Sequence, residues 1–191
     1  MLEKSIPDVL KITICGIDEL GGHADAKVTH VLSILDPATP APSVFERYGE
    51  HARLELRFHD VIEVDLAGYD PPQPHHIASL LDFGRAMTAS AVERPHLLVH
   101  CHMGISRSTA AATLVMASTM PERSPQDIMA EIARIRSKAW PNLRMIEIGD
   151  SMLGRAGALI RAVRARHREL AASLPQVATF MRDSGRGREL D

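Results

Sequence analysis

The chain has 191 residues, 45% of them hydrophobic, with two cysteines, ten histidines and a formal charge of −2. That length and apolar share suit one compact domain with a full core. Two cysteines exclude a disulfide framework and a four-thiolate zinc site, and no apolar run is long enough to span a bilayer. Residues 1–95 hold 8 Lys and Arg against 15 Asp and Glu, and residues 96–191 hold 14 against 9. The basic second half suits an anionic ligand. Aromatics at 4% leave no base-stacking platform, which argues against nucleic acid. Met1 to Lys11 carries charges of both signs and no long apolar stretch, so no leader and a cytoplasmic location are expected.

In chain order, Lys11–Cys15 alternates with β-branched residues and reads as a strand, as does the apolar run Val28–Leu35, stopped by Asp36-Pro37. Arg53–His59 alternates apolar and charged residues, the pattern of a half-exposed strand. Pro74 opens a helix over His75–Ala91 with Ile77, Leu80, Leu81 and Met87 on one stripe. His96–His100 is short and apolar, which suits a buried central strand. Gly104–Met120 is apolar nearly all round and reads as a buried helix. Ser124-Pro125 starts another, with the serine as cap and the stripe Ile128, Ile132 and Ile135. Asn142 can cap a long final helix from Leu143 to about Leu170, weakened by Gly149, Gly154 and Gly157. One domain over residues 1–170 is expected, with 171–191 a frayed, flexible tail anchored by Phe180. Strands alternating with helices indicate an α/β fold, three-layered, its mostly parallel or mixed sheet flanked by helices.

Such sheets bind ligands at the carboxyl ends of their strands. The loop leaving strand 96–100 reads His100-Cys101-His102-Met103-Gly104-Ile105-Ser106-Arg107-Ser108-Thr109 and runs straight into a helix. A helix N-terminus presents unpaired N–H groups and about half a positive charge, which favours an anion. A cysteine there is poised as a thiolate nucleophile. Gly104 lets the backbone turn tightly, so that successive amides form an anion-binding nest. Arg107 adds a planar fork that matches phosphate oxygens. The set suits phosphoryl transfer to sulfur.

His100-Cys101-x5-Arg107-Ser108 at a strand-to-helix junction resembles the signature of the cysteine-dependent protein tyrosine phosphatases, in their compact dual-specificity-like and bacterial forms. The resemblance covers residues 10–160; Arg53–Asp60 resembles the strand and loop that carry the general acid, and Pro141-Asn142 the pair that starts the next helix. It implies Cys101 as a nucleophile that forms a phosphocysteine, and Arg107 as the phosphate clamp. The amides of His102, Met103, Gly104, Ile105, Ser106 and Arg107 would hold the phosphate oxygens. Ser108 would stabilise the departing sulfur, and His100 would orient the loop from behind by hydrogen bonds. An aspartate would act as acid and then base, giving an acidic-side pH optimum. Three aspartates compete. Asp60, 41 residues before Cys101, follows a strand at the active edge and is favoured, with Val61–Pro74 as an insertion over the site. Spacing by itself favours Asp70, 31 residues before Cys101, and Asp65 lies between.

The expected substrate is a phosphorylated protein or small phosphomonoester, with phosphotyrosine the leading class and free phosphate or sulfate as ligands of the same loop. No cofactor, metal, nucleic acid or membrane partner is expected. The alternative is a catalytically weak or dead phosphate-binding module of the same fold. Large tyrosine phosphatases do not match, since Trp-Pro-Asp is absent, and the loop's variable positions lack the lysines of phosphoinositide-selective members. Cys15 reads as core, with the sharper alternative of a redox partner that captures oxidised Cys101. Arg155, Arg161, Arg164, Arg166 and Arg168 read as a solvated helix face.

Overall fold

A computed structural model describes residues 10–191; Met1–Val9, and with them most of the segment read as carrying no leader, lie outside the described residues. Four strands form the sheet: β1 (Lys11–Gly16), β2 (His30–Leu35), β3 (Ala52–Arg57) and β4 (His96–Cys101). Their order is β1-β4-β2-β3, and every pairing is parallel. The segment expected as a buried central strand, β4, is central, and β2 beside it is likewise buried along its whole length, whereas β3 is an edge strand and keeps its charged residues accessible.

The helices are α1 (Pro74–Ala89), α2 (Arg107–Thr119), α3 (Pro125–Ile135), α4 (Leu143–Met152), α5 (Ala158–Ser173) and α6 (Pro175–Asp183). Short 3-10 turns cover Ile17–His23, Ser43–Arg47 and Gly187–Leu190. Strand alternation sorts the core into two sides. Ile12, Ile14, Leu32, Ile34, Leu97, Val99 and Cys101 face the helices, with α2 at the centre. Cys15, Val31 and Leu98 face the other way, onto Leu20, Phe45 and Tyr48 of the two early 3-10 turns. The second layer is therefore thin. Helix α2 is buried from Arg107 to Ala117, as its all-round apolar sequence requires.

Two expectations need correction. The long helix from Leu143 to Leu170 is two helices. Gly154 and Gly157 have φ of +63° and +78°, and this left-handed backbone ends α4 and restarts the chain as α5. Asp150, which had no role in the sequence, caps that restart: its carboxylate accepts from the amides of Gly157 (2.6 Å) and Leu159 (2.9 Å). Residues 171–191 also differ from a frayed tail. They carry the end of α5, α6 and a 3-10 turn, with Met181, Arg186 and Glu189 buried. Phe180, the expected anchor, is 64% exposed. The segment is held by buried charge rather than by an aromatic, which an apolar pattern cannot reveal.

Candidate active site

Asp36 after β2, Phe58 and Asp60 after β3, and Cys101 at the end of β4 meet at the carboxyl edge of the sheet. The loop His102–Ser106 closes over them, and every one of its carbonyls is engaged from outside. Ile17 N–H donates to His102 O (3.0 Å), and Trp140 N–H to Ile105 O (2.9 Å). The Arg136 guanidinium donates through Nη2 to Met103 O (3.0 Å) and through Nε to Gly104 O (3.1 Å). Ser106 O accepts from Ala110 N–H (3.0 Å) and Asn142 N–H (3.3 Å). With the carbonyls turned out, peptide planarity turns the amides in. Among the described residues, the N–H groups of Met103 to Ser106 have no protein acceptor. This is an anion-binding nest at the start of α2.

Two glycines make the packing possible. At Gly104 φ is +68°, and a Cβ would lie 2.5 Å from the carbonyl carbon of Cys15. At Gly16 a Cβ would lie 2.8 Å from His102 O. The loop therefore rests directly on the backbone at the end of β1. Behind it, Glu19 accepts from Gly16 N–H (2.6 Å) and pairs with Arg136 (2.8 Å). The Arg136 hydrogen bond, then that of Gly16, holds this carboxyl below its ordinary range.

Cys101 is 2% exposed, and its Sγ lies 3.3 Å from Ser108 Oγ, so the hydroxyl can donate to a thiolate. Arg107, 3% exposed, is anchored through Nη1 to Asp36 Oδ1 and Phe58 O, both at 2.6 Å. Its Nε is buried with no partner among the described residues. One edge of the guanidinium is thus fixed by protein, and the Nε edge remains available for a forked contact with an oxyanion.

Of the three aspartates weighed as the acid, Asp60 is the one brought to this loop. Its Oδ1 accepts from Ser106 Oγ (2.7 Å) and Asn142 Nδ2 (2.8 Å), and the Arg186 guanidinium lies 3.2 Å away. Burial raises its proton affinity, but the Arg186 and Arg107 cations and these donors more than offset that. The carboxyl is held below the usual carboxylate range. Asn142 does two jobs, since its Oδ1 also caps α4 by accepting from Met145 N–H (3.1 Å). Asp65 and Asp70 are exposed and line no part of the cavity described next. Asp70 uses only its backbone locally, its N–H donating to His59 Nδ1 (2.8 Å).

A cavity of about 760 Å³ opens above Cys101 and Arg107. The segment expected as an insertion supplies Val61, Leu66 and Tyr69 on one side, and α6 supplies Val177, Phe180 and Met181 on the other. The walls are mainly apolar, and Met103, 68% exposed, stands at the rim.

One expectation about the loop's neighbours is not met, and the alternative role weighed for Cys15, a core residue as expected, is disfavoured. His100 is buried against Phe45, ring centroids 5.6 Å apart, and neither ring nitrogen has a partner among the described residues. Burial pushes its pKa down to about 4. Its ring is held by packing on Phe45 rather than by hydrogen bonds to the loop. Cys15 faces the side of the sheet opposite Cys101. Burial, with Glu19 adding, pushes its thiol up to about 12, so it is a poor partner for an oxidised Cys101. The arginines of the last helices are also less idle than a solvated face. Arg155 donates to Ala117 O (2.6 Å) at the end of α2, and Arg166 to Ser137 O.

Sequence reasoning missed Asp36, Arg136, Glu19, Arg186 and Glu189. Asp36 had a usable signal, because it ends a strand at the same sheet edge as Asp60. The others reach the site from far along the chain and leave no local pattern. Among the described residues no group of three His, Cys, Asp or Glu could hold a metal ion, and no helix is long and apolar enough to cross a membrane.

No protein-family model and no curated sequence matches the chain. Solved structures do. Human DUSP28 is 21% identical over 77% of this chain and 94% of its own, with a TM-score of 0.56. DUSP15 is 22% identical over 85% and 94%, with a TM-score of 0.57. A mouse putative dual specificity phosphatase complexed with zinc tungstate is 20% identical over 83% and 94%, with a TM-score of 0.55. The parallel sheet, the strand-to-helix loop at His100–Ser108 and these likenesses agree: the chain has the fold of the cysteine-dependent tyrosine and dual-specificity phosphatases.

Proposed function

We propose that the protein is a phosphomonoester hydrolase, a protein tyrosine or dual-specificity phosphatase, acting through a phosphocysteine on Cys101. The observation that carries this reading is the loop between Cys101 and Arg107 whose carbonyls are all engaged from outside, while its amides from Met103 to Ser106 have no acceptor among the described residues. The phosphate of the substrate sits in that nest, forked by Arg107. The thiolate attacks phosphorus as the P–O bond to the leaving group breaks, and Asp60 passes its proton to the leaving oxygen. Asp60, now ionised, takes a proton from water as the water attacks the phosphocysteine. Inorganic phosphate and the thiolate, stabilised by Ser108, are regenerated. No metal or cofactor takes part.

The apolar cavity supports an aromatic leaving group. A tyrosine ring buries apolar surface against such walls, whereas a phosphoserine has no ring to bury there. Turnover of phosphotyrosine peptide that persists in EDTA, vanishes in Cys101→Ser and falls about 10²–10⁴-fold in Asp60→Asn on a poor leaving group is the expected result. If Asp60→Asn keeps full turnover while Asp70→Asn loses it, the acid assignment is wrong. A second reading, a weak or dead phosphate-binding module, is favoured by one observation: Arg186 pairs with Asp60 and favours its ionised, non-donating form. Retention of a phosphopeptide without turnover by the unaltered protein would select it.

A further inference from the structure

The C-terminal segment 175–191 lines the cavity and reaches the Asp60 carboxyl through one side chain. Arg186 is 8% exposed and is clamped by Glu189 at two points, Nε to Oε2 and Nη2 to Oε1, both 2.8 Å. Glu189 is fully buried and also accepts from Trp140 Nε1 (2.6 Å) and Leu143 N–H (3.0 Å). A guanidinium held this firmly is built to aim at something. It aims at Asp60 Oδ1, 3.2 Å from Nη1, and at Ser106 Oγ, 2.9 Å from Nη2. Ser106 and Asn142 donate to the same Oδ1.

From this geometry we infer that Arg186 is a positioning residue for the Asp60 carboxyl: it occupies Oδ1, leaves Oδ2 as the oxygen that carries and transfers the proton, and sets the pH at which that proton is lost. The inference rests on the proposed role of Asp60. Two hydrogen-bond donors and the Arg186 cation on one oxygen disfavour protonation there, so the acid proton resides on the other oxygen. The same cation stabilises the carboxylate: the protonated form becomes a stronger donor in the first step, the ionised form a weaker base in the second, and the proton is lost at lower pH. The net effect is a rate maximum displaced to acid pH.

Of the remaining charged groups around Asp60, Arg107 also favours its ionised form through space, but its hydrogen bonds go to Asp36 and Phe58 O and none to Asp60, and Glu189 stands behind Arg186. Cys101 and Lys138 line the cavity with Asp60, His59 is turned to Tyr69, and Glu63 is held by Arg188.

The test is the pH dependence of kcat/KM for an aryl phosphate, with Asp60 followed directly by ¹³C-carboxyl NMR in a Cys101→Ser background. Arg186→Met is expected to move the descending limb, and the NMR titration of Asp60, up by about 1–3 pH units. Arg186→Lys, which keeps the charge, is expected to hold both near their original values and serves if Arg186→Met does not fold. A descending limb and an Asp60 titration unmoved in Arg186→Met overturn the inference, as does a shift in Arg186→Lys of the size expected for Arg186→Met. Asp60→Asn separates the two levels. If it abolishes the descending limb, the role of Asp60 stands and only the role of Arg186 is being judged. If the limb survives, the reading of Asp60 has failed.

Discussion

Replacing Gly104 by alanine isolates the close contact between the loop and β1. The new Cβ would lie 2.5 Å from Cys15 C and 2.7 Å from Cys15 O, where ordinary contact begins at 3.4 Å. Backbone on both sides must separate by about 0.9 Å, since no flexible side chain is there to yield. The φ of +68° adds left-handed strain of about 1–2 kcal/mol. A displacement near 1 Å in a positioned catalytic loop costs about 100-fold in rate. Overpacking costs about 1–3 kcal/mol, so the combined loss lowers Tm by roughly 5–15 °C in a chain of this size. The assay pairs kcat/KM on an aryl phosphate with thermal unfolding. Gly154→Ala is the control: its φ is +63°, but nothing lies within 4 Å of a Cβ there, so it carries strain without the clash. It is expected to lose a little stability and keep its kcat/KM. Unchanged kcat/KM in Gly104→Ala, or an equal loss in Gly154→Ala, would show that the contact does not set the loop.

Arg136→Met removes the two donors that turn Met103 and Gly104 carbonyls outward; kcat/KM is expected to fall about 10–100-fold, with a smaller change in Tm. Glu189→Ala leaves Arg186 buried without its clamp and orphans Trp140 Nε1 and Leu143 N–H, and urea unfolding should report a loss of about 3–5 kcal/mol. His167, fully buried and stacked on Trp140 at 4.2 Å, has its pKa pushed down to about 3, mainly by burial. The unfolded chain binds this proton below about 6.5 and the folded chain does not. Stability should therefore fall by up to about 1.4 kcal/mol per pH unit as pH drops from 6.5 towards 3, less so in His167→Gln, measured by denaturant melts across pH. Mild peroxide followed by mass spectrometry is expected to yield no Cys15–Cys101 crosslink, because the two thiols face opposite sides of the sheet.

The parallel α/β fold and the centre of the site were legible in the chain because each is written locally. Period-two alternation marks β1 and β3, continuous apolarity marks β2 and β4, and Cys101 to Ser108 lies within one loop whose helix-start geometry follows from its neighbours. Asp60 was readable as well, since a strand end at the sheet's carboxyl edge carried it. What surrounds that centre was not readable. Arg136 contacts Met103 and Gly104 from more than 30 residues away, and Arg186 reaches Ser106 across 80. Hydrogen bonds and ion pairs over such separations impose no period on the sequence, and polar residues that become buried look the same in a string as those that remain solvated. Hence the tail that reads as frayed is folded against Asp60, and the histidine expected to hold the loop by hydrogen bonds packs on Phe45 instead. Local chemistry specified the proposed nucleophile and anion nest. Only the three-dimensional packing decided which groups hold the loop from outside, which cation faces the Asp60 carboxylate, and what the cavity walls are made of.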